Sequence, residues 1–160
     1  MTKLAMPKID RKLISKKVEV IANLKKIIIA ENVLDHEDEL RPFETDALSA
    51  YKQKPLAVVF PKNTKEVSKI LAYCNQERIK VVPRGAGTGL SGGALPLADS
   101  ILLCLGKFNK IIDIDYKNRC VVAQPGVTNL SITKAVEDKG FYYAPDPSSQ
   151  IACSIGGNVA

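Results

Sequence analysis

Tryptophan is absent from the 160 residues, and histidine occurs once, at His36. A single imidazole rules out histidine-based metal sets. With no Cys-x-x-Cys pair among Cys74, Cys104, Cys120 and Cys153, a zinc cluster within this chain is nearly excluded. The same scarcity leaves no His, Arg and carboxylate constellation able to serve as base and substrate clamp, so no catalytic residue and no metal ligand is assigned. The cysteines stand singly in apolar or strand-like text, which predicts buried free thiols in a reducing compartment. Apolar runs reach about five residues, against the ~18 that a membrane span requires, and no signal-peptide core is present. The basic N-terminus has a little of the character of an organellar presequence, against which Asp10 and Glu19 argue. A cytoplasmic protein without a transmembrane segment is expected, with peripheral contact to the inner membrane as an option.

Basic charge is in excess, and it is uneven. The formal net charge is +6, yet Lys8, Arg11, Lys12, Lys16, Lys17, Lys25 and Lys26 crowd into the first segment. Glu31, Asp35, Glu37, Asp38, Glu39, Glu44 and Asp46 follow directly. Apolar residues interleave with the lysines, so the stretch reads as the solvated face of an amphipathic helix and not as a nucleic-acid stripe. Composition is otherwise that of a globular domain, 46% hydrophobic and 25% charged.

Periodicity orders the rest. Asp10 is placed to cap a helix whose apolar stripe runs Ile14, Val18, Ile21, Leu24 and Ile28. An acidic, Pro-containing connector leads to Leu56–Phe60, a continuous apolar run of the kind written by a strand buried on both faces. Thr64 is expected to cap a second helix with Val67, Ile70, Leu71 and Cys74 on one face, before a strand at Ile79–Val82. Strand, helix, strand points to a right-handed crossover in a parallel sheet. Ile101–Leu105 reads as a third strand. Ile111–Asp115 and Cys120–Ala123, joined by a polar turn, read as an antiparallel pair. Thr128 is placed to cap a third helix that Gly140 stops, and the last twenty residues show no periodic pattern. Tyr142 and Tyr143 are read as core packing.

The most informative segment is Pro83-Arg84-Gly85-Ala86-Gly87-Thr88-Gly89-Leu90-Ser91-Gly92-Gly93. Such glycine density after a buried strand costs backbone entropy and signals close approach of main chain to a ligand. Successive free N–H groups in a tight loop make a concave anion site suited to a pyrophosphate. Thr88 and Ser91 add hydroxyls, and Arg84 adds charge or braces the loop. Gly87 to Gly92 also matches G-x-G-x-x-G, with Asp113 about twenty residues on. A Rossmann loop must open into a helix, however, and Gly93-Ala94-Leu95-Pro96 starts none. No Walker sequence occurs either, because Phe108 follows Gly106-Lys107. Gln124-Pro125-Gly126, Pro145-Asp146-Pro147-Ser148-Ser149 and Ser154-Ile155-Gly156-Gly157-Asn158 look like further walls of the same site.

At these residues, and at Thr45-Asp46-Ala47-Leu48-Ser49-Ala50-Tyr51 and Pro55–Pro61, the sequence resembles the FAD-linked oxidase family with the PCMH-type (vanillyl-alcohol-oxidase-like) flavin fold. Within it, the glycolate oxidase branch, which also holds the D-lactate and D-2-hydroxyglutarate dehydrogenases, is nearest. The resemblance implies an α+β fold, with a small parallel βαβ lobe followed by a mixed or antiparallel lobe. Residues 1–40 would be an N-terminal helix and connector, and 41–160 a PCMH-type domain incomplete at its C-terminus. It implies FAD held by Arg84, Gly85, Ala86, Gly87, Thr88, Gly89, Ser91 and Gly92, with Pro125, Gly126, Asp146, Pro147, Ser148, Gly156, Gly157 and Asn158 lining the cofactor. Some relatives bond flavin covalently through a His where this chain has Thr88, so non-covalent FAD is implied. The implied reaction is oxidation of a small D-2-hydroxy acid, of glycolate or D-lactate type, to the 2-oxo acid. Substrate would be held by a following part that this chain lacks, and the chain alone would be inactive, poorly soluble or weak in retaining FAD. Iron–sulfur and second flavin-fold subunits are the implied partners. The alternatives are a transferase resembling alkyl-dihydroxyacetonephosphate synthase, or a non-catalytic flavin-fold member of a glycolate oxidase complex.

Overall fold

The computed structural model describes residues 7–160. Asp10 caps α1 (Arg11–Ser15), its carboxylate accepting from the N–H groups of Lys12 and Leu13 at 2.9 and 3.2 Å. The single helix expected here breaks at Lys16 (φ −91, ψ 8) before α2 (Lys17–Ile27). The row that meets the sheet starts one residue earlier than expected, at Leu13, and continues at helical steps through Val20 and Leu24. The buried stripe becomes Leu13, Val20, Ile21, Leu24 and Ile28, while Ile14 and Val18, expected inside, are 38% and 82% exposed. Lys8, Arg11, Lys12, Lys16 and Lys26 face solvent, and Lys25 reaches Asp35 at 3.2 Å.

The acidic connector is more structured than its composition suggests. It contributes β1 (Val33–Leu34), which pairs antiparallel with β2 (Ala57–Val59), and a short α3 (Glu37–Leu40). After β2, the cap of α4 (Thr64–Gln76) is Asn63, not Thr64. Asn63 has the extended backbone that a cap requires and accepts from the Glu66 N–H at 2.9 Å, while the Glu66 carboxylate accepts in return from the Lys62 N–H. Next come β3 (Lys80–Arg84) and β4 (Ser100–Cys104); β2 and β3 are parallel strands of one sheet, as expected, and the third strand, β4, pairs in parallel with both. The sheet order is β1-β2-β4-β3, so β4 inserts between the two strands of the crossover.

Helices α1, α2 and α4 cover one face of this sheet. Leu24 and Ile70 pack there against Ala57, Val59 and Ile101. The other face buries Val58, Leu102 and Cys104 against Leu40. Coverage on both sides is why β2 and β4 read as unbroken apolar runs. The N-terminal helices thus share a core with the sheet, and Asp99 fastens their start. Its buried carboxylate accepts from the Asp10 N–H at 2.8 Å and the Lys80 ammonium at 2.7 Å.

The second sheet is the predicted hairpin, β5 (Ile111–Asp115) and β6 (Cys120–Ala123), whose turn places Arg119 at φ 55. Cys120 is exposed because β6 alternates outward and inward, correcting the expectation of four buried thiols; Cys74, Cys104 and Cys153 are buried. Thr128 caps α5 (Asn129–Val136), and Gly140, at φ 75, stops it after one further turn. The last segment, expected to be irregular, ends in α6 (Ile155–Val159).

Candidate functional site

The glycine loop leaves β3 at the carboxyl edge of the parallel sheet and borders a cleft of about 570 Å³. From the loop the cleft takes Pro83, Arg84, Gly85, Ala86, Gly87, Thr88, Gly89, Gly93 and Ala94. Opposite lie Leu105, Pro125, Ser149, Cys153, Ser154, Gly156, Gly157 and Asn158. Three of the sequence segments singled out as walls therefore converge on one concavity.

Not every expected residue is on it. Ser91 and Gly92 continue the loop beyond the lining, and Gly126 lies beneath it. Of the Asp-Pro-Ser-Ser turn only Ser149 lines the cleft; Asp146 and Ser148 are exposed and Pro147 is half-buried outside it. Leu105 and Cys153 were missed. Leu105 ends an apolar strand and Cys153 reads as a buried thiol, so neither carries a compositional signal. Tyr142 and Tyr143 border a separate cleft of about 340 Å³, and Tyr142 is 74% exposed, which corrects its reading as core.

The glycines divide by what surrounds them. A Cβ on Gly85 would meet the Ser154 Oγ at 2.0 Å, one on Gly126 the Leu105 and Phe108 carbonyl oxygens at 2.4 and 2.7 Å, and one on Gly156 the Pro125 Cβ at 2.6 Å. Those three exist so that segments can touch. Gly87 and Gly92 have φ +73 and +74, the left-handed region that glycine occupies without strain. Gly89 and Gly93 border the cleft with nothing within 4 Å of a Cβ, so bare main chain faces open space there.

Among the described residues, no backbone N–H from Gly85 to Ala94 donates to a backbone carbonyl. A run of free donors on a concave wall is an anion-binding arrangement. The side chains agree: Arg84 is the one basic residue in the lining, and no Asp or Glu side chain joins it. Arg84 itself points back into the loop. Its Nη1 donates to the Thr45 carbonyl at 2.7 Å, its guanidinium lies 5.7 Å from the Phe43 ring centroid, and it fills the space beside Gly87. Opposite, the Asn129 N–H donates to the Cys153 carbonyl, and those of Ile155 and Gly156 to the Val127 and Pro125 carbonyls, at 2.8–3.1 Å. These bonds fix the last segment against the Pro125 turn. The donor set, the exposed main chain and the absence of acidic side chains fit the diphosphate of a dinucleotide.

Comparison with known proteins agrees. The chain is 50% identical over 156 residues to glycolate oxidase subunit GlcD of Escherichia coli (strain K12), covering 98% of this chain and 30% of that protein. It superposes on 4-ethylphenol oxidase from Gulosibacter chungangensis with a TM-score of 0.77 at 26% identity, over 96% of this chain and 30% of that one. An alkyldihydroxyacetonephosphate synthase structure also gives a TM-score of 0.77, at 18% identity, over 97% of this chain and 30% of its own, a likeness of fold alone. The chain spans about 30% of the length of each. The family model FAD_binding_4, an FAD binding domain, matches residues 55–160. The chain belongs to that family, its fold is the PCMH-type flavin fold, and its cofactor is FAD.

Proposed function

We propose that the chain is the flavin-holding portion of an oxidoreductase that converts a small D-2-hydroxy acid, of glycolate or D-lactate type, to its 2-oxo acid. The observation that carries the reading is the row of unspent N–H groups from Gly85 to Ala94 along the cleft. In this reading those amides cradle the FAD diphosphate, with the Thr88 and Ser91 hydroxyls beside them. Pro125, Gly156, Gly157 and Asn158 form the facing wall. Gly126 sets the Pro125 turn from beneath, and Asp146, Pro147 and Ser148 lead into the wall at Ser149. When bound, FAD would supply the electron sink for removal of hydride from the substrate carbon. The Thr88 hydroxyl lacks the nucleophilic ring nitrogen of histidine, so the cofactor is held non-covalently.

Half of the aligned residues match a glycolate oxidase subunit, which supports the hydroxy-acid reaction over the transferase alternative, for which only the fold speaks. The intact glycine loop favours the flavin-carrying role over that of a non-catalytic subunit. The relative is named as a subunit, which supports assembly with further subunits; an iron–sulfur and a second flavin-fold subunit are the partners proposed. No helix among the described residues is long and apolar enough to cross a membrane; a cytoplasmic location with peripheral contact to the inner membrane is part of the proposal.

Two measurements test this. In fluorescence-quenching titrations of the purified chain, FAD should bind at least about tenfold more tightly than riboflavin, a difference of ~1.4 kcal/mol assigned to the diphosphate together with the adenosine that it carries. Equal affinities would remove the cradle. The tagged chain, isolated from its own cells with its partners, should show anaerobic bleaching of oxidised flavin with glycolate or D-lactate. A flavin-loaded complex that no 2-hydroxy acid bleaches would end the reaction assignment.

A further inference from the structure

The glycine loop is held in shape by a turn that forms no part of the cleft. Asp46 is 5% exposed and does not line the cavity. Its Oδ1 accepts from the Leu48 N–H at 2.9 Å, closing a tight turn, and the Thr45 hydroxyl donates to the Asp46 carbonyl at 3.0 Å. Both sides of the glycine loop are fastened to this turn. The Ala47 N–H donates to the Gly87 carbonyl at 2.9 Å, and the Arg84 guanidinium donates to the Thr45 carbonyl at 2.7 Å. Leu48 Cδ2 lies 3.7 Å from where a Gly92 Cβ would stand.

A loop with this many glycines, and with none of its N–H groups from Gly85 to Ala94 bonded to main chain, has no internal reason to keep one conformation. Fixing a backbone residue costs about 1–2 kcal/mol of entropy, a cost that falls on ligand binding unless the protein has already met it. The anchors at Arg84 and Gly87 meet it in advance, and both depend on the turn that the Asp46 carboxylate closes. The second carboxylate oxygen, Oδ2, is buried without a partner among the described residues. Burial of a half-satisfied carboxylate is unfavourable. The position is therefore poorly explained as a stabilising contact and better explained by what the turn holds. We infer that Asp46 is a positioning residue, presetting the Arg84–Gly92 loop for a diphosphate ligand through Thr45 and Ala47. This rests on the FAD reading above for the ligand, though not for the brace.

The test separates the two. Amide order parameters of Gly85, Gly87 and Gly89 are measured by NMR in the flavin-free chain, for wild type, Asp46→Ala and Asp46→Asn, and FAD affinity is titrated for each. The wild-type loop should be rigid, near about 0.85, and Asp46→Ala mobile, below about 0.6. Asp46→Asn keeps an acceptor for the Leu48 N–H and should retain both rigidity and affinity. Asp46→Ala should weaken FAD binding about tenfold or more. Should Asp46→Ala fail to fold, Arg84→Met cuts the other anchor and should loosen the same amides in flavin-free protein. A loop equally ordered in the variants, or Asp46→Asn as loose as Asp46→Ala, overturns the brace. Loosening as expected in a chain whose wild type binds no FAD would uphold the brace and defeat the cofactor reading instead.

Discussion

Gly89 and Gly126 make opposite demands, and exchanging each for a larger residue separates cofactor binding from folding. Gly89 borders the cleft, and an added Cβ there has nothing within 4 Å. Gly89→Val therefore meets no steric penalty from the protein, and loss of glycine's freedom in the unfolded chain favours folding by about 0.4–1 kcal/mol where the conformation is compatible. Its isopropyl group, however, stands where the diphosphate must approach the amides. Loss of one charge-assisted hydrogen bond is worth about 1.5–3 kcal/mol, a factor of ~10 to ~150 in Kd. At Gly126 even a methyl group would lie 2.4 Å from the Leu105 carbonyl oxygen and 2.7 Å from that of Phe108, and both are main chain. The Gly126 N–H also donates to that Phe108 carbonyl at 2.7 Å, so the backbones have no room to part. Gly126→Ala should cost about 1–3 kcal/mol or more, the range for overpacking. Urea unfolding followed by circular dichroism reads the first quantity, and FAD titration of the folded fraction reads the second. The expected pattern is crossed: Gly89→Val folds normally and binds poorly, whereas Gly126→Ala folds poorly. If Gly89→Val bound FAD like wild type, the loop would not face the diphosphate and the site assignment would fail.

Asp99 should set an acid limb of stability. Burial raises its pKa, but the Lys80 hydrogen bond, the Asp10 N–H and the Lys80 charge together outweigh burial and hold it below the usual carboxylate value. A depressed folded-state pKa contributes stability that is complete above about pH 4 and is lost as pH falls through the folded value. Asp99→Asn should lower the urea midpoint at neutral pH and flatten its decline below about pH 4; an unaltered acid limb refutes the assignment. Thiol reactivity should be equally selective. Burial pushes Cys74 up to about 11 and Cys104 up to about 12, whereas Cys120 is exposed on β6. Native alkylation at about pH 8 should mark Cys120 first by mass spectrometry, and modification of Cys104 at a comparable rate would show that the sheet opens readily.

The strands were legible because burial on both faces leaves an unbroken apolar run, as in Leu56–Phe60 and Ile101–Leu105, and each forms within a residue or two of its expected bounds. The hairpin at Ile111–Ala123 was legible from its turn. The stripe on the first helix was not. Leu13, Val20, Leu24 and Ile28 keep helical steps of seven and four, and Ile14, Val18, Ile21 and Ile28 keep steps of four, three and seven, so spacing alone does not choose between two overlapping rows and only packing on the sheet leaves Ile14 and Val18 outside. β1 escaped because two residues carry no period. The cap at Asn63 was misassigned by one position to Thr64, since both residue types cap helices and only the backbone decides between them. Among the candidate site residues, the glycine loop was legible from composition. The division of its glycines into those facing open space and those packed on protein was not, because the packing atoms come from residues as distant as Ser154.

The position of the cleft follows from strand order. β3 and β4 are neighbours and parallel, joined in register from Lys80↔Ser100 to Arg84↔Cys104, so both chains leave the sheet at the same edge. The Leu105 N–H still donates to the Arg84 carbonyl at 2.9 Å, the last bond holding them together. Beyond it they part: β3 continues into the glycine loop, and β4 turns through Phe108 toward the β5–β6 hairpin. A crevice at the carboxyl ends of parallel strands, opened where adjacent connections diverge, is the ligand position expected for open α/β sheets. Here the divergence also sets the chemistry. The loop on the β3 side must carry the chain from the carboxyl edge back to the start of β4, because the two strands are parallel neighbours, and its amides are left without strand partners. The chain leaving β4 instead brings back Pro125 and, through the Gly156 N–H on the Pro125 carbonyl, the final segment. One wall therefore supplies unspent donors and the other a surface of proline, glycine and small polar residues, an asymmetry matched to a ligand that is anionic along one side.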